Sequence, residues 1–364
     1  EIACSLVGSE MCIRDRLYII SLMPHKTFFW FFLPSGLAML IFIGLPIFSS
    51  LFQSLHIETE QILVEVETCD PFGCDTEVQV DQDATNILRA ENPLGRFNGL
   101  KTYVDRNHLA VNEIAEAWND TTNFSDFISG IMNLPFYKGL LFTLTFCFTV
   151  TPCVIVLGFI VALSVNVIAK SLKGPIIFGT ILPMIVTPLI GSLVLFWMID
   201  SQGILGTAIQ VLFDDPNLSL KSSKSLTWIM LIVYGIWHNT PFAFVVFYAG
   251  LQTVPQDPIE AALIDGASRV QRIRHIVLPH LYPVATFIAL ICLMDNFRVL
   301  EPIIGFSAEG VAQSLSWMIY KDLRNETLML FGSAGATSML TIIFIGILLT
   351  PVLLRTWKEF KTDR

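Results

Sequence analysis

The sequence predicts an all-α membrane protein built on six transmembrane helices, and three observations predict it. Hydrophobic residues make up 53% of the 364 and charged residues only 15%, where a soluble domain carries about 25% charged residues. The mean hydropathy is +0.64. Six apolar runs, at 28–52, 139–169, 174–199, 227–250, 283–304 and 331–354, reach the ~20 residues needed to cross ~30 Å of hydrocarbon. Lipid offers backbone groups no water partner, so each run is expected as a helix. The runs are continuous rather than alternating, which argues against a β-barrel. The composition excludes a disordered chain and a soluble globular enzyme. The net charge of −9 excludes a basic nucleic-acid binder.

The elements follow in order. Ser5 to Arg16, SLVGSEMCIRDR, resembles translated sequencing-adaptor sequence, and Met23 opens a more natural start, MPHKTFFWFF. Residues 1–22 are therefore set aside as an artefactual tail, the alternative being a genuine polar N-terminus. The run 28–52 is too long for the apolar part of a signal peptide and lacks a small-residue cleavage pattern, so it reads as an uncleaved first span. The short loops fix the orientation. Lys26, Lys170, Lys173, Arg269, Arg272, Arg274, Arg355, Lys358, Lys361 and Arg364 lie on one side; Lys221, Lys224, Lys321 and Arg324 lie on the other. The ten-to-four excess places the first set, and both termini, in the cytoplasm.

Residues 53–138 are then exported. They hold fifteen acidic residues, Glu58 through Asp126, against five basic ones. Such a segment is either a docking surface for an external partner or a solvated, partly disordered loop. Within it Cys69 and Cys74, in CDPFGC, could close a small disulfide loop in an oxidising compartment. Cys147, Cys153 and Cys292 fall in apolar runs and read as small core hydrophobes. The remaining five spans, 139–354, form the core, and 355–364 is a cytoplasmic tail.

Catalytic motifs are missing. There is no HExxH, no GxSxG and no Gly-Lys dipeptide, so no Walker A loop can cradle ATP. His275 and His280 read as packing histidines at a helix end. The informative segment is 251–282, LQTVPQDPIEAALIDGASRVQRIRHIVLPHLY. Asp257 as a cap, Pro258 at the first position and Glu260 two residues on predict a helix start, and Gly266 a stop. Ser268 and Gln271 open a second helix, along which Val270, Ile273 and Val277 share a face, and Pro279 ends it. The loop is thus two short helices about a glycine elbow. Ala261 and Ala262 make the first of them small-faced, open to close approach by another protein.

The pattern EAA-x3-G followed by I-x-LP, here Glu260, Ala261, Ala262, Asp265, Gly266, Ala267, then Ile276, Leu278, Pro279, resembles the cytoplasmic coupling loop of ABC importer permeases. The flanking strings WHNTPFAFVVFYAGLQTVP, MDNFRVLEPI and SAGATSML look like the maltose and glycerol-phosphate branch, from NGLKTYV near residue 97 to the C-terminus. The resemblance implies the type I ABC importer permease fold. It implies two permease subunits forming the pathway above an ABC ATPase dimer that holds the ATP and magnesium, so no cofactor is expected in this chain. A periplasmic binding protein delivers the solute. Glu260 and Gly266 carry the loop's cap and elbow, and Asp265 and Arg269 its polar contacts to the ATPase.

Polar groups within spans are costly and functional by default, a central charge by about 2.5–3.5 kcal/mol. Asp295, Asn296 and Arg298 lie in the fifth run, and Asp295 and Arg298 are spaced to pair, which would give them a structural role instead. The family's matching stretch, including Asn296-Phe297, lines the solute path. Trp237, His238, Asn239 and Phe242, around Pro241, match a second lining stretch. Aromatic faces with amide hydrogen-bonders suit a sugar. Two departures stand: GFSAEG (Gly305 to Gly310) replaces the family's Gly-Gly-Pro turn, and the first exported loop is long. The resulting expectation is the permease subunit of a binding-protein-dependent importer for a sugar or polyol. Alternatives are another polar solute, an intramembrane enzyme, or a secondary transporter, whose usual internal repeat is missing.

Overall fold

The computed structural model describes residues 24–58, 61–70, 73–92, 94–120, 123–215, 219, 224–324 and 330–362. The expectations for residues 1–22 lie outside the described residues. The chain divides into two compact units, residues 1–53 and 54–364.

The first unit carries one helical stretch: α1 (Pro24–Met39), a π turn (Leu40–Gly44) and α2 (Leu45–Ser54). The π turn has a local cause. Pro46 has no N–H, and its ring crowds the carbonyl four residues back at Phe42, so the wider turn absorbs both defects. Phe28–Ser54 is long and apolar enough to cross a membrane.

The second unit opens with the segment predicted to be exported, where two short two-stranded ribbons join an otherwise helical chain. β1 (His56–Ile57) pairs antiparallel with residues 96 and 97, and β2 (Leu63–Asp70) pairs antiparallel with β3 (Gly73–Val80). The Val/Glu alternation in LVEVETCD is the period-2 pattern of a strand. Register sets Cys69 opposite Cys74, but the side chains of 65–79 lie outside those described, so the disulfide stays an expectation. α3 (Gln82–Glu91) is capped by the Asp81 carboxylate, which accepts from Ala84 N at 3.0 Å. β4 (Arg96–Phe97), α4 (Lys101–Val104), α5 (Val111–Asp120) and α6 (Phe124–Met132) complete the segment. His108 is fully buried, with Nε2 3.1 Å from the Ser333 carbonyl oxygen. Ser333 Oγ in turn donates to Asp322 at 2.6 Å.

α7 (Pro135–Val167) starts four residues before the predicted run, because Pro135 suits the first helical turn after an extended Leu134. The predicted run 174–199 is broken. α8 (Lys170–Ile185) and α9 (Pro188–Met198) meet at 95°, since Val186 and Thr187 are extended ahead of Pro188. α10 (Ile204–Phe213) is a short apolar helix that no run anticipated. α11 (Lys224–Leu251) is continuous through Pro241.

The cytoplasmic loop follows as α12 (Gln256–Ile264), α13 (Arg269–Arg272), a second π turn (Ile273–Val277) and α14 (Leu278–His280). This π turn again precedes a proline, Pro279, so the helix passes through it rather than ending there. The predicted run 283–304 also divides. α15 (Tyr282–Phe297) stops before Arg298, and α16 (Glu301–Gly305) begins afresh with Pro302 in its first turn. α17 (Leu315–Leu323) and α18 (Phe331–Thr362) close the chain, α18 carrying the predicted cytoplasmic tail on as helix. Among the described residues four helices are long and apolar enough to span a membrane, or six if each bent pair is one span.

The core forms where α7 packs on α11 and α15. Phe146, Val150, Leu231, Phe244 and Ile288 are buried there. Gly158 permits the closest approach: a Cβ at that position would stand 2.5 Å from Ala243 Cβ. Small residues at helix contacts serve this purpose in lipid, where dispersion contact replaces hydrophobic burial as the driving force. Cys147 and Cys292 are buried and Cys153 half-buried, all three as free thiols.

Candidate functional site

The break of the third span and the end of α15 leave a cavity of about 560 Å³ beside α11. Tyr234, His238, Asn239 and Phe242 lie on one stripe of α11 and reach it together. Trp237, one position off the stripe, is half-exposed and outside the lining, and its ring centroid is 5.9 Å from that of Tyr234. Asp295, Asn296 and Arg298 line the opposite side from the end of α15.

The polar groups are arranged in two sets. The first is a buried amide relay. Asn239 Nδ2 donates to Gly235 O at 3.0 Å and to Asn296 Oδ1 at 3.1 Å, and Asn296 Nδ2 donates to Thr151 Oγ1 at 3.1 Å. Asn296 is 3% exposed. It therefore ties α7, α11 and α15 together at the cavity wall, and its own hydrogen-bonding groups are engaged.

The second set is ionic. Arg298 Nη2 meets Asp295 Oδ1 at 2.8 Å, with both side chains at least half exposed, so the spacing that allowed pairing does produce it. Glu301 also lines the cavity, and no ion pair to it occurs among the described residues. His238 packs edge-on to Tyr234 at 5.7 Å, and both its ring nitrogens are buried without a hydrogen-bond partner among the described residues. The Tyr234 hydroxyl donates to Pro188 O at 2.8 Å, which pins α11 to the break of the third span.

The cytoplasmic loop is built differently from its sequence reading at its start. Pro255, extended at ψ 138°, precedes the first helical residue, and Asp257 lies in the first turn without capping. The first-turn N–H groups have no intrahelical acceptors, so Pro258 is tolerated there. Asp265 ends α12, and Gly266 takes φ +75° with open space around it. Only the backbone conformation calls for glycine there. Ser268 and Gln271 form the expected reciprocal cap, with Ser268 N donating to Gln271 Oε1 at 2.7 Å and Gln271 N to Ser268 Oγ at 3.4 Å.

Beyond the elbow, Val277 and Leu281 anchor the loop in the core. Val270, expected on the same face as Val277, is instead exposed, as is Leu278. Glu260, Ala261, Asp265 and Arg269 face solvent, Ala262 and Ala267 are half-buried, and Leu263 and Ile264 are exposed, Ile264 at 87%. An apolar, small-sided helix presented to water in this way is an unfilled contact surface.

Residues 127–358 match the family described as binding-protein-dependent transport system inner membrane component. The chain belongs to that family. This permease is similar to the sn-glycerol-3-phosphate transport system permease protein UgpA of Yersinia pestis bv. Antiqua (strain Antiqua), at 27% identity over 297 residues covering 79% of this chain and 83% of the relative. It is similar to UgpA of Escherichia coli O6:K15:H31 (strain 536 / UPEC), at 27% identity over 275 residues covering 74% and 83%. Among solved structures it shares its fold with a chain of a bacterial ABC transporter involved in the import of the acidic polysaccharide alginate, at TM-score 0.53 and 17% identity over 76% of this chain and 97% of that one. The permease is thus a multi-pass inner-membrane transport subunit of an ABC importer, not an enzyme.

The structure collects six of the seven sequence-selected path residues around one cavity, Trp237 being the exception. Sequence reasoning missed Glu301 and Tyr234. Glu301 had a signal, because it is an acid in an otherwise apolar stretch, VLEPIIGF, and meets the criterion that selected Asp295.

Proposed function

We propose that this permease passes a sugar or related polyol, phosphorylated or not, through the cavity between α7, α11 and α15, and that α12 receives the force that drives alternating access. A separate ABC ATPase dimer, loaded with ATP and magnesium, grips α12 in this reading. A second permease subunit completes the pathway, and a periplasmic solute-binding protein delivers the solute to the acidic exported segment. Both termini lie in the cytoplasm.

The observation that carries the reading is the cytoplasmic loop. α12 presents Leu263 and Ile264 to solvent with no covering element among the described residues, while its C-terminal continuation runs through α13 and α14 into α15, the helix that ends at the cavity. Displacing α12 therefore moves the element bearing Asp295, Asn296 and Arg298, a two-state gate with a defined lever. For the solute, support comes from aromatic faces (Tyr234, Phe242) beside amide and carboxylate edges, which suit a ring with apolar faces and hydroxyl rims. The relatives named for glycerol phosphate point to the same class of cargo.

The test is affinity purification of the chain, begun at Met23, from native membranes in mild detergent, beside a Glu260→Lys, Gly266→Pro variant. Co-purification of an ATPase and a second permease, with the ATPase lost in the variant, is the expected result. A wild-type chain that purifies alone would overturn it.

A further inference from the structure

The cavity's charges do not cancel. Asp295 and Arg298 neutralise one another across 2.8 Å. Glu301, on the next helix, lines the same space with no cationic partner among the described residues. Among the described residues no lysine lines the cavity, and Arg298 is its only arginine. A carboxylate left over in a cavity walled by apolar spans projects a negative potential through it, because low-dielectric walls focus the field. An anion arriving there meets a like charge with no Arg or Lys free among the described lining residues; of the two helix starts at the lining, α16 carries Glu301 itself and α9 opens with Pro188, which has no N–H to offer.

Hydroxyl groups meet the opposite situation. Glu301 accepts from them. His238, whose two nitrogens lack partners among the described residues, offers the donor and the acceptor of a neutral imidazole. The two buried ring nitrogens of His238 are costly to leave unpaired, and a polyhydroxylated solute satisfies them while donating to the exposed Glu301.

We infer that Glu301 makes this permease's half of the pathway a charge filter, which admits an uncharged sugar or polyol and rejects its phosphate esters. The inference rests on the cavity being the solute path, as proposed above. It narrows that proposal to the unphosphorylated class and assigns the discrimination to a residue outside the motifs. Asp295 does not serve in this way, because its charge is already answered by Arg298.

The experiment reads the field directly in the assembled transporter, purified from native membranes and reconstituted in nanodiscs. A cysteine is placed at Phe242 or, as a second position on another helix, at Met184; both side chains line the cavity. Reaction rates with a cationic trimethylammonium-ethyl and an anionic sulfonato-ethyl methanethiosulfonate are measured above the background of the native thiols. The expected result is faster reaction of the cationic reagent, with the cation-to-anion rate ratio falling about fivefold in Glu301→Gln. That is the change expected when one charge within ~8 Å is removed from water-filled space. Asp295→Asn, which frees Arg298, lowers the same ratio and checks that the reagents sense the cavity.

Two results overturn the filter while leaving the path intact: a ratio unchanged in Glu301→Gln, or an anionic reagent that reacts faster in the wild type. If neither reagent reaches either cysteine, the cavity is closed to solutes, and the path reading falls together with the filter.

Discussion

Replacing Gly158 by alanine tests the helix contact that frames the cavity. A Cβ at this position stands 2.5 Å from Ala243 Cβ, 3.0 Å from the Ala243 carbonyl carbon and 3.0 Å from Phe244 N. Carbon atoms in optimal contact are about 3.5–4.0 Å apart, so the nearest contact is short by about 1 Å. Two of the three neighbours are backbone atoms of α11, so no rotamer change relieves them, and α7 and α11 must separate. Overpacking of this kind costs about 1–3 kcal/mol, and exchanging glycine for alanine inside a helix returns at most about 1 kcal/mol. The expected net effect is a loss of about 1–2 kcal/mol. Ala243→Gly removes the shortest contact but leaves the two backbone ones. The double variant should therefore recover about 1 kcal/mol relative to the sum of the single changes. The assay is unfolding of the purified chain in mixed micelles, titrated with dodecyl sulfate and followed by circular dichroism. A Gly158→Ala protein at least as stable as wild type, or strict additivity with Ala243→Gly, would refute the reasoning.

Other perturbations follow from the same structure. Asn296→Ala and Thr151→Val should each destabilise the chain and couple in a double-mutant cycle by about 0.6 kcal/mol, the average for hydrogen bonds between helices in membranes; zero coupling would dissolve the relay between α7 and α15. Gly266→Ala should strain the elbow by about 1–2 kcal/mol, because φ +75° is left-handed and the space around it is open, with Gly266→Asn milder; hydrogen exchange at α12 and α13 reads the loss. Burial pushes the Asp322 carboxyl above its ordinary value of 3.8, opposed by the Ser333 hydrogen bond and by His108 and Lys321 nearby. A raised folded-state value means the contribution to stability is fully present below pH 3.8 and lost as pH rises through the raised value. Asp322→Asn should flatten that part of the stability–pH profile in detergent, and an unchanged profile would contradict it.

The parts of the fold carried by local chemistry were legible in the sequence. The apolar runs gave the order of the four long apolar helices and the two bent pairs among the described residues, and Gly266 with Ser268 and Gln271 gave the elbow and second helix start. Proline marked breaks poorly, because its effect depends on the neighbours. Pro152, Pro241 and Pro351 sit inside continuous helices, Pro46 and Pro279 follow π turns that absorb them, and Pro188 coincides with a 95° bend. Asp257 looked like a cap because the Asp-Pro pair fits the rule for a helix start, yet Pro255 two residues earlier already supplies the extended residue. The cavity was half legible. Tyr234, His238, Asn239 and Phe242 fall on one helical stripe, and Glu301 stands out as an acid in an apolar stretch, but that α16 brings Glu301 to the same cavity is a tertiary fact with no local signature. Trp237 was the converse case, adjacent in sequence but rotated off the stripe.

The central claim is that α12 is the surface on which a partner ATPase acts. A photo-crosslinking residue at Ile264, 87% exposed on that helix, tests it most directly, with the same residue at the exposed Val233 of α11 as a control. Irradiation of native membranes should join the Ile264 position to an ATP-binding protein, and addition of ATP with vanadate should alter the yield, while the Val233 position yields no such adduct. Adducts to lipid alone at Ile264, or the same ATP-binding partner at both positions, would contradict the account.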